Sequence, residues 1–184
     1  LFLAALFAPA AHRALGRRAG VFLAMAPGLL LAHFARFLEP VASGQALEES
    51  WPWVAGLGIR LAFRLDGLSL LFALLVTGIG ALVLVYGGGY LKGDPRLPRF
   101  YAAILFFMAA MLGLVLADDA IALFVFWELT SVSSYLLLGF DHEKAEARKA
   151  ALQGVFVTGG GGRELLAGLL LLGWPAVHQR RARD

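Results

Sequence analysis

The stretch 123-LFVFWELTSVSSYLLLGF-140 sets one acid, Glu128, inside a run that otherwise suits a hydrocarbon environment. On a helix, Glu128 stands nine residues past Asp119 and eleven before Gly139. At about 1.5 Å rise per residue it lies ~14 Å into a hydrocarbon layer roughly 30 Å thick. An ionised carboxylate at that depth costs on the order of 3 kcal/mol on insertion scales unless it is protonated, paired or hydrated. Desolvation favours the neutral acid, so a carboxyl kept there is suited to binding and releasing a proton. Thr130, Ser131, Ser133 and Ser134 follow within two turns, and Ser131 at i+3 and Tyr135 at i+7 share the face of Glu128. Hydroxyls and enclosed water relay protons. Glu128 is therefore the candidate proton carrier, with Thr130, Ser131 and Tyr135 as candidate supports. The plainer alternative is a buried, protonated packing acid, and a Ser/Thr cluster serves helix contacts in membranes equally well. Trp127 and the phenylalanines around it read as packing.

The rest of the chain agrees with a lipid setting. Of 184 residues 60% are hydrophobic, and the mean hydropathy of +0.75 is too high for a soluble domain of this size. The net charge of +3 comes from basic residues gathered in short loops, which speaks to topology rather than to nucleic acid. With no cysteine there are no disulfides, thiolate-held clusters or zinc knuckles, and four scattered histidines show no metal-site spacing. The expectation is a protein without metal or cofactor.

Apolar windows predict spans near residues 20–38, 67–87, 101–117, 119–139 and 151–173, preceded by a run ending near Ala11. That run is about half of a span, and Arg13, Arg17 and Arg18 follow rather than precede it, unlike a signal peptide. It reads as a clipped first helix. The expected fold is an all-α integral membrane protein of about five full transmembrane helices plus that stub, with a short periplasmic β-hairpin-like segment. Its expected divisions are 1–38, 39–66, 67–173 and an atypical tail, 174–184. Basic residues fill alternate loops, at Arg13 to Arg18, Lys92 to Arg99 and Lys144 to Lys149, whereas the loop between the fourth and fifth spans carries only Asp118 and Asp119. Basic loops stay inside, so the N-terminus and the 39–66 loop are expected outside. Three arginines in 178-HQRRARD-184 run against that alternation.

Within the outer loop, Trp51 and Trp53 suit an interface, and Ile59, Leu61, Phe63 and Leu65 alternate with Arg60, Ala62 and Arg64. The period of two predicts a surface strand or hairpin arm. Asp66 and Asp119 are well placed as N-caps. His33, above Arg36, is expected at the interface. The mixed charges of 141-DHEKAEARKA-150 suggest the start of a surface helix. The run 159-GGGG-162 lacks the following Lys-Ser or Lys-Thr of a phosphate loop, and Gly154, Thr158 and Gly162 at four-residue spacing fit close helix packing instead. Arg163 and Glu164 place two charges in mid-span, where they could pair with Glu128 or with another helix.

The strings 64-RLDGLSLLFALLVTGIG-80, 100-FYAAILFFMAAMLGLVLADD-119 and 124-FVFWELTSVSSYLLLGF-140 resemble the proton-conducting membrane subunits shared by Mrp-type multisubunit sodium/proton antiporters and respiratory complex I. Trp-Glu-Leu-Thr-Ser at 127–131 is closer in form to the A-type antiporter subunits than to their complex I relative, chain 5. The resemblance covers about residues 10 to 173. It implies about fourteen helices containing two inverted five-helix repeats, of which this chain holds the opening part. It implies that Glu128 matches the fifth-helix glutamate, which works with a lysine on a seventh helix beyond this chain. Gly161 to Glu164 depart from the apolar pattern usual there, as a short slip of reading frame would produce.

What the resemblance implies in function is a bacterial inner-membrane, multi-pass antiporter subunit, not an enzyme. Its partners would be other antiporter subunits in a hetero-oligomeric complex, the bilayer, protons and sodium ions. The alternatives are a non-transporting fragment and a proton-pumping membrane subunit of complex I.

Overall fold

The computed structural model describes residues 1–54, 59–141 and 145–181. Its elements are α1 (Phe2–Leu15), α2 (Ala19–Ala35), the short α3 (Leu38–Ala42), β1 (Leu47–Val54), β2 (Ile59–Leu65), α4 (Gly67–Tyr90), α5 (Leu97–Leu116), α6 (Ala120–Leu138) and α7 (Ala145–Arg181). Among the described residues three helices, α4, α5 and α6, are long and apolar enough to cross a membrane, with 24, 20 and 19 residues. The apolar helices α1 and α2 are shorter, at 14 and 17 residues. The second span was expected to run to residue 38; instead α2 ends at Ala35, and a turn through Arg36 and Phe37 leads into α3.

α5 is the centre of the bundle. It packs against α1, α4 and α6, and its Tyr101, Leu105, Met108 and Ala110 are almost wholly buried. Tyr101 reaches between α2 and α4. A Cβ on Gly20 would stand 2.6 Å from Tyr101 Oη and 2.8 Å from the Leu84 carbonyl oxygen, so the close α2/α4 approach requires glycine there. Beyond α5, α6 packs on α7. Leu68, Leu71, Phe72, Leu75, Ile79 and Leu82 expose one face of α4, the outward apolar stripe expected of a helix in lipid.

The alternating segment forms β2, paired antiparallel with β1 from Leu47↔Leu65 to Val54↔Ile59. Leu61, Phe63 and Leu65 are half-buried while Arg60 and Arg64 are exposed, the outcome a period of two predicts. Trp51 and Trp53 lie exposed on β1. The hairpin is tied to the α5/α6 turn by the Asp118 amide, which donates to Ala62 O at 2.9 Å, and by a bridge between Phe63 and Ala117. The hairpin and the acidic turn thus share one end of the bundle. The α4/α5 turn, with Lys92 and Arg96, lies at the other end of α5, where Arg99 stands in the first turn of the helix.

Both expected caps form. Asp66 accepts from the Leu68 and Ser69 amides at 3.1 and 3.0 Å, and Ser69 Oγ accepts from the Asp66 amide at 2.7 Å, completing a capping box. These bonds, led by that from the Ser69 amide, hold the Asp66 carboxyl below its ordinary value, with Arg64 adding a little. At the opposite end Asp94 forms an ion pair with Arg96 at 2.9 Å, which holds its carboxyl low as well. His33 is exposed, in contact with Arg36 at 2.6 Å.

α7 differs most from expectation. It runs unbroken from Ala145 to Arg181, longer than the predicted 151–173 and well into the tail, and the four glycines at 159–162 are helical. Residues 142–144 and 182–184, at the ends of the charged loop and the tail, lie outside the described residues.

Candidate functional site

α6 starts because Asp119 accepts from the Ile121 and Ala122 amides at 2.8 and 3.1 Å. From that cap Glu128 falls at the middle of the 19-residue helix. Phe126 points back toward the bundle, against Gly113 of α5 and within 6.1 Å of the Phe63 ring. Trp127 and Glu128, one and two steps on, face α7.

The meeting point on α7 is Gly162. A Cβ there would collide with Glu128 Oε1, stand 3.2 Å from the carboxyl carbon and 3.4 Å from Trp127 Cδ1. Gly154, two turns earlier, lies against Leu138, where a Cβ would come within 3.1 Å. Thr158 turns its hydroxyl onto Gly154 O at 2.7 Å. Gly154 and Gly162 therefore sit in the α6/α7 seam, two turns apart. What the spacing did not reveal is that the seam closes on the acid.

Glu128 Oε1 is buried and, among the described residues, has no hydrogen-bond partner; the same holds for Trp127 Nε1. Beside Glu128 opens a cleft of about 370 Å³ lined by Phe124, Phe156, Gly159, Gly160 and Arg163. Arg163 and Glu164 are exposed. Arg163 shares the cleft with Glu128, but among the described residues no ion pair joins them.

The hydroxyls turn to their own helix. Thr130 and Ser131 both donate to Trp127 O, at 2.7 and 3.2 Å, and Ser133 donates to Leu129 O and Thr130 O at 2.9 Å. Ser131 and Ser133 are buried, whereas Tyr135 is 40% exposed. Such i−3 and i−4 bonds satisfy hydroxyls within one helix and leave their oxygens to accept from elsewhere. The residue that sequence reasoning passed over is Trp127, whose adjacency to the only acid of the run was the available signal. Among the described residues no three His, Asp or Glu side chains gather as a metal-ligand set.

An acid at mid-helix, its Oε1 sheltered in the seam between α6 and α7, occurs here in a recognisable sequence setting. Residues 51–101 match the family model described as NADH-Ubiquinone oxidoreductase (complex I), chain 5 N-terminus. Residues 117–176, which hold Glu128 and Gly162, match that of NADH:quinone oxidoreductase/Mrp antiporter, TM. The chain belongs to this family of membrane subunits. It is 42% identical over 153 residues to the A1 subunit of a Na(+)/H(+) antiporter from Staphylococcus haemolyticus, covering 83% of the chain and 19% of that protein. It is likewise 42% identical over 173 residues to the corresponding A-type Na(+)/H(+) antiporter subunit from Alkalihalophilus pseudofirmus, covering 93% and 22%. In three dimensions it resembles a chain of the Mrp complex from Dietzia sp. DQ12-45-1b, with a TM-score of 0.79, 37% identity and coverage of 90% of this chain and 18% of that one. The chain thus spans about a fifth of the length of these relatives.

Proposed function

We propose that this segment contributes the mid-membrane, proton-carrying glutamate of the A-type subunit in a cation/proton antiporter. The observation that carries the reading is Glu128 at the middle of α6, with its Oε1 buried and unpartnered among the described residues and a cleft beside it. A carboxyl so situated changes charge without crossing the membrane. Protonated, it rests in the seam at little electrostatic cost; ionised, it requires a cation or water, which couples its state to its surroundings. By the family resemblance, that cation is a lysine on a helix beyond this segment. Thr130, Ser131 and Tyr135 serve as its supports, through hydroxyl oxygens still able to accept.

In the full protein α1, α2, α4, α5, α6 and α7 each cross the bilayer, giving five full spans after the first. The hairpin and the Asp118–Asp119 turn face outward with the N-terminus, and the basic α1/α2 and α4/α5 turns face inward, as the positive-inside rule requires. The membrane is the bacterial plasma membrane. The partners are further antiporter subunits and the ions are H⁺ and Na⁺, in line with the names of the antiporter relatives.

The test is Glu128→Gln in the full-length protein, assembled with its partners. Sodium/proton exchange in vesicles should be abolished; exchange near the wild-type rate would end this reading. Membership of complex I is the second reading, favoured by the chain 5 match over residues 51–101. Neighbouring genes separate the two, since dehydrogenase genes accompany complex I and genes for small antiporter proteins accompany Mrp.

A further inference from the structure

Two adjacent residues of α6 carry complementary unpartnered atoms. Trp127 Nε1 is a donor without an acceptor and Glu128 Oε1 an acceptor without a donor, both buried, among the described residues. The hydroxyl protons of Thr130, Ser131 and Ser133 are committed to carbonyls of α6 and so are not offered to the carboxylate. Neighbours on a helix diverge by about 100°, so residues 127 and 128 ordinarily serve different contacts. Here both reach one spot. A Cβ at Gly162 would stand 3.4 Å from Trp127 Cδ1, the carbon bonded to Nε1, 3.2 Å from the Glu128 carboxyl carbon and closer still to Oε1.

A buried donor or acceptor left unmade costs about 1–3 kcal/mol. One water answers both needs, accepting from the indole and donating to the carboxylate; its entry is from the cleft of about 370 Å³ that Glu128 lines and takes a small opening of the seam, since both atoms are closed to solvent as placed. We propose that Trp127 is a positioning residue for Glu128, its indole N–H holding the carboxylate in the α6/α7 seam through a single bridging water. The proposal rests on the proton-carrier reading of Glu128 and deepens it. An indole N–H donates and never accepts, so it steadies the ionised acid without competing for the proton. A phenylalanine would fill most of the same space and provide none of this.

The experiment uses the full-length protein in its assembled complex. Ultraviolet resonance Raman reads the hydrogen-bond-sensitive indole band of Trp127, isolated by subtracting the spectrum of Trp127→Phe, or of Trp127→Tyr should the first variant not assemble. The band should stand at the hydrogen-bonded position in the wild type, persist in Glu128→Gln, whose amide oxygen still accepts, and move to the free-indole position in Glu128→Leu. Exchange by assembled Trp127→Phe should fall about tenfold, the loss of one hydrogen bond to a charged group. A free-indole band in the wild type, an unmoved band in Glu128→Leu, or wild-type exchange by Trp127→Phe would each overturn the proposal. Full exchange by Glu128→Gln would instead end the carrier reading, while the Raman result would still decide whether the two side chains share a water.

Discussion

Glu128 of α6 turns its Oε1 onto the backbone of Gly162 in α7, at a point where any side chain would collide with it. The contact joins a mid-helix acid to the one kind of residue that lets α7 come so near. It also makes the seam sensitive to a single methyl group.

Gly162→Ala in the full-length protein should reduce exchange at least tenfold without loss of assembled complex. Alanine in place of glycine favours the helix by about 1 kcal/mol, so lost activity in an equally or more stable protein identifies the carboxyl contact as the cause. The control is Gly161→Ala, where a new Cβ meets nothing within 4 Å and exchange should be unchanged. Equal activity of the two variants would remove Gly162 from the site.

Arg163 shares the cleft with Glu128 and is exposed there. If its positive charge helps accommodate the ionised acid, Arg163→Lys should exchange near the wild-type rate while Arg163→Gln falls severalfold. The comparison separates charge from the packing of the long side chain, which both substitutions alter. Equal rates for Gln and Lys would show that the guanidinium is a bystander.

Asp66→Ala should destabilise the start of α4 by about 1 kcal/mol through loss of its N-cap, read as a lower midpoint of thermal unfolding in detergent at neutral pH. The sign of the pH effect follows from the direction of the Asp66 shift. Its folded-state value lies below the ordinary 3.8, chiefly through the bond from the Ser69 amide. The stabilisation is present above 3.8 and is lost as pH falls through the lowered folded value. Wild type and variant should therefore differ at neutral pH and converge in acid. A gap that persists in acid would assign the loss to something other than the ionised cap.

Much of this was legible locally. Asp66 and Asp119 stand before apolar runs, where a side-chain oxygen has free amides to accept from, and both cap as expected. The alternation from Ile59 to Leu65 announced β2, because one face of the arm had to rest on the bundle. Its partner β1 was hidden by Leu47-Glu48-Glu49-Ser50-Trp51-Pro52-Trp53, which does not alternate and holds a proline, tolerated because the strand lies at an edge and its register shifts beside Pro52. The spacing of Gly154, Thr158 and Gly162 revealed a packing face but not its partner, since periodicity within one helix carries no information about which residue of another lies opposite. For the same reason Ser131 could be placed on the Glu128 face by counting, while the choice of Trp127 O by its hydroxyl could not. The expected span of 151–173 already ran through the glycines, Arg163 and Glu164; the further reach of α7 from Ala145 to Arg181 was obscured by the charged segment before it and the arginine-bearing tail after it, whose polarity marks the end of an apolar run but not the end of a helix.

The central claim is that the Glu128 carboxyl gains and loses a proton as the protein works. Infrared difference spectroscopy of the intact complex, with the carboxyl band assigned by its disappearance in Glu128→Gln, tests it most directly. The account predicts that this band grows and fades as pH is stepped across the range in which exchange runs. A band of constant intensity over that range, whether fully protonated or fully ionised, would contradict it.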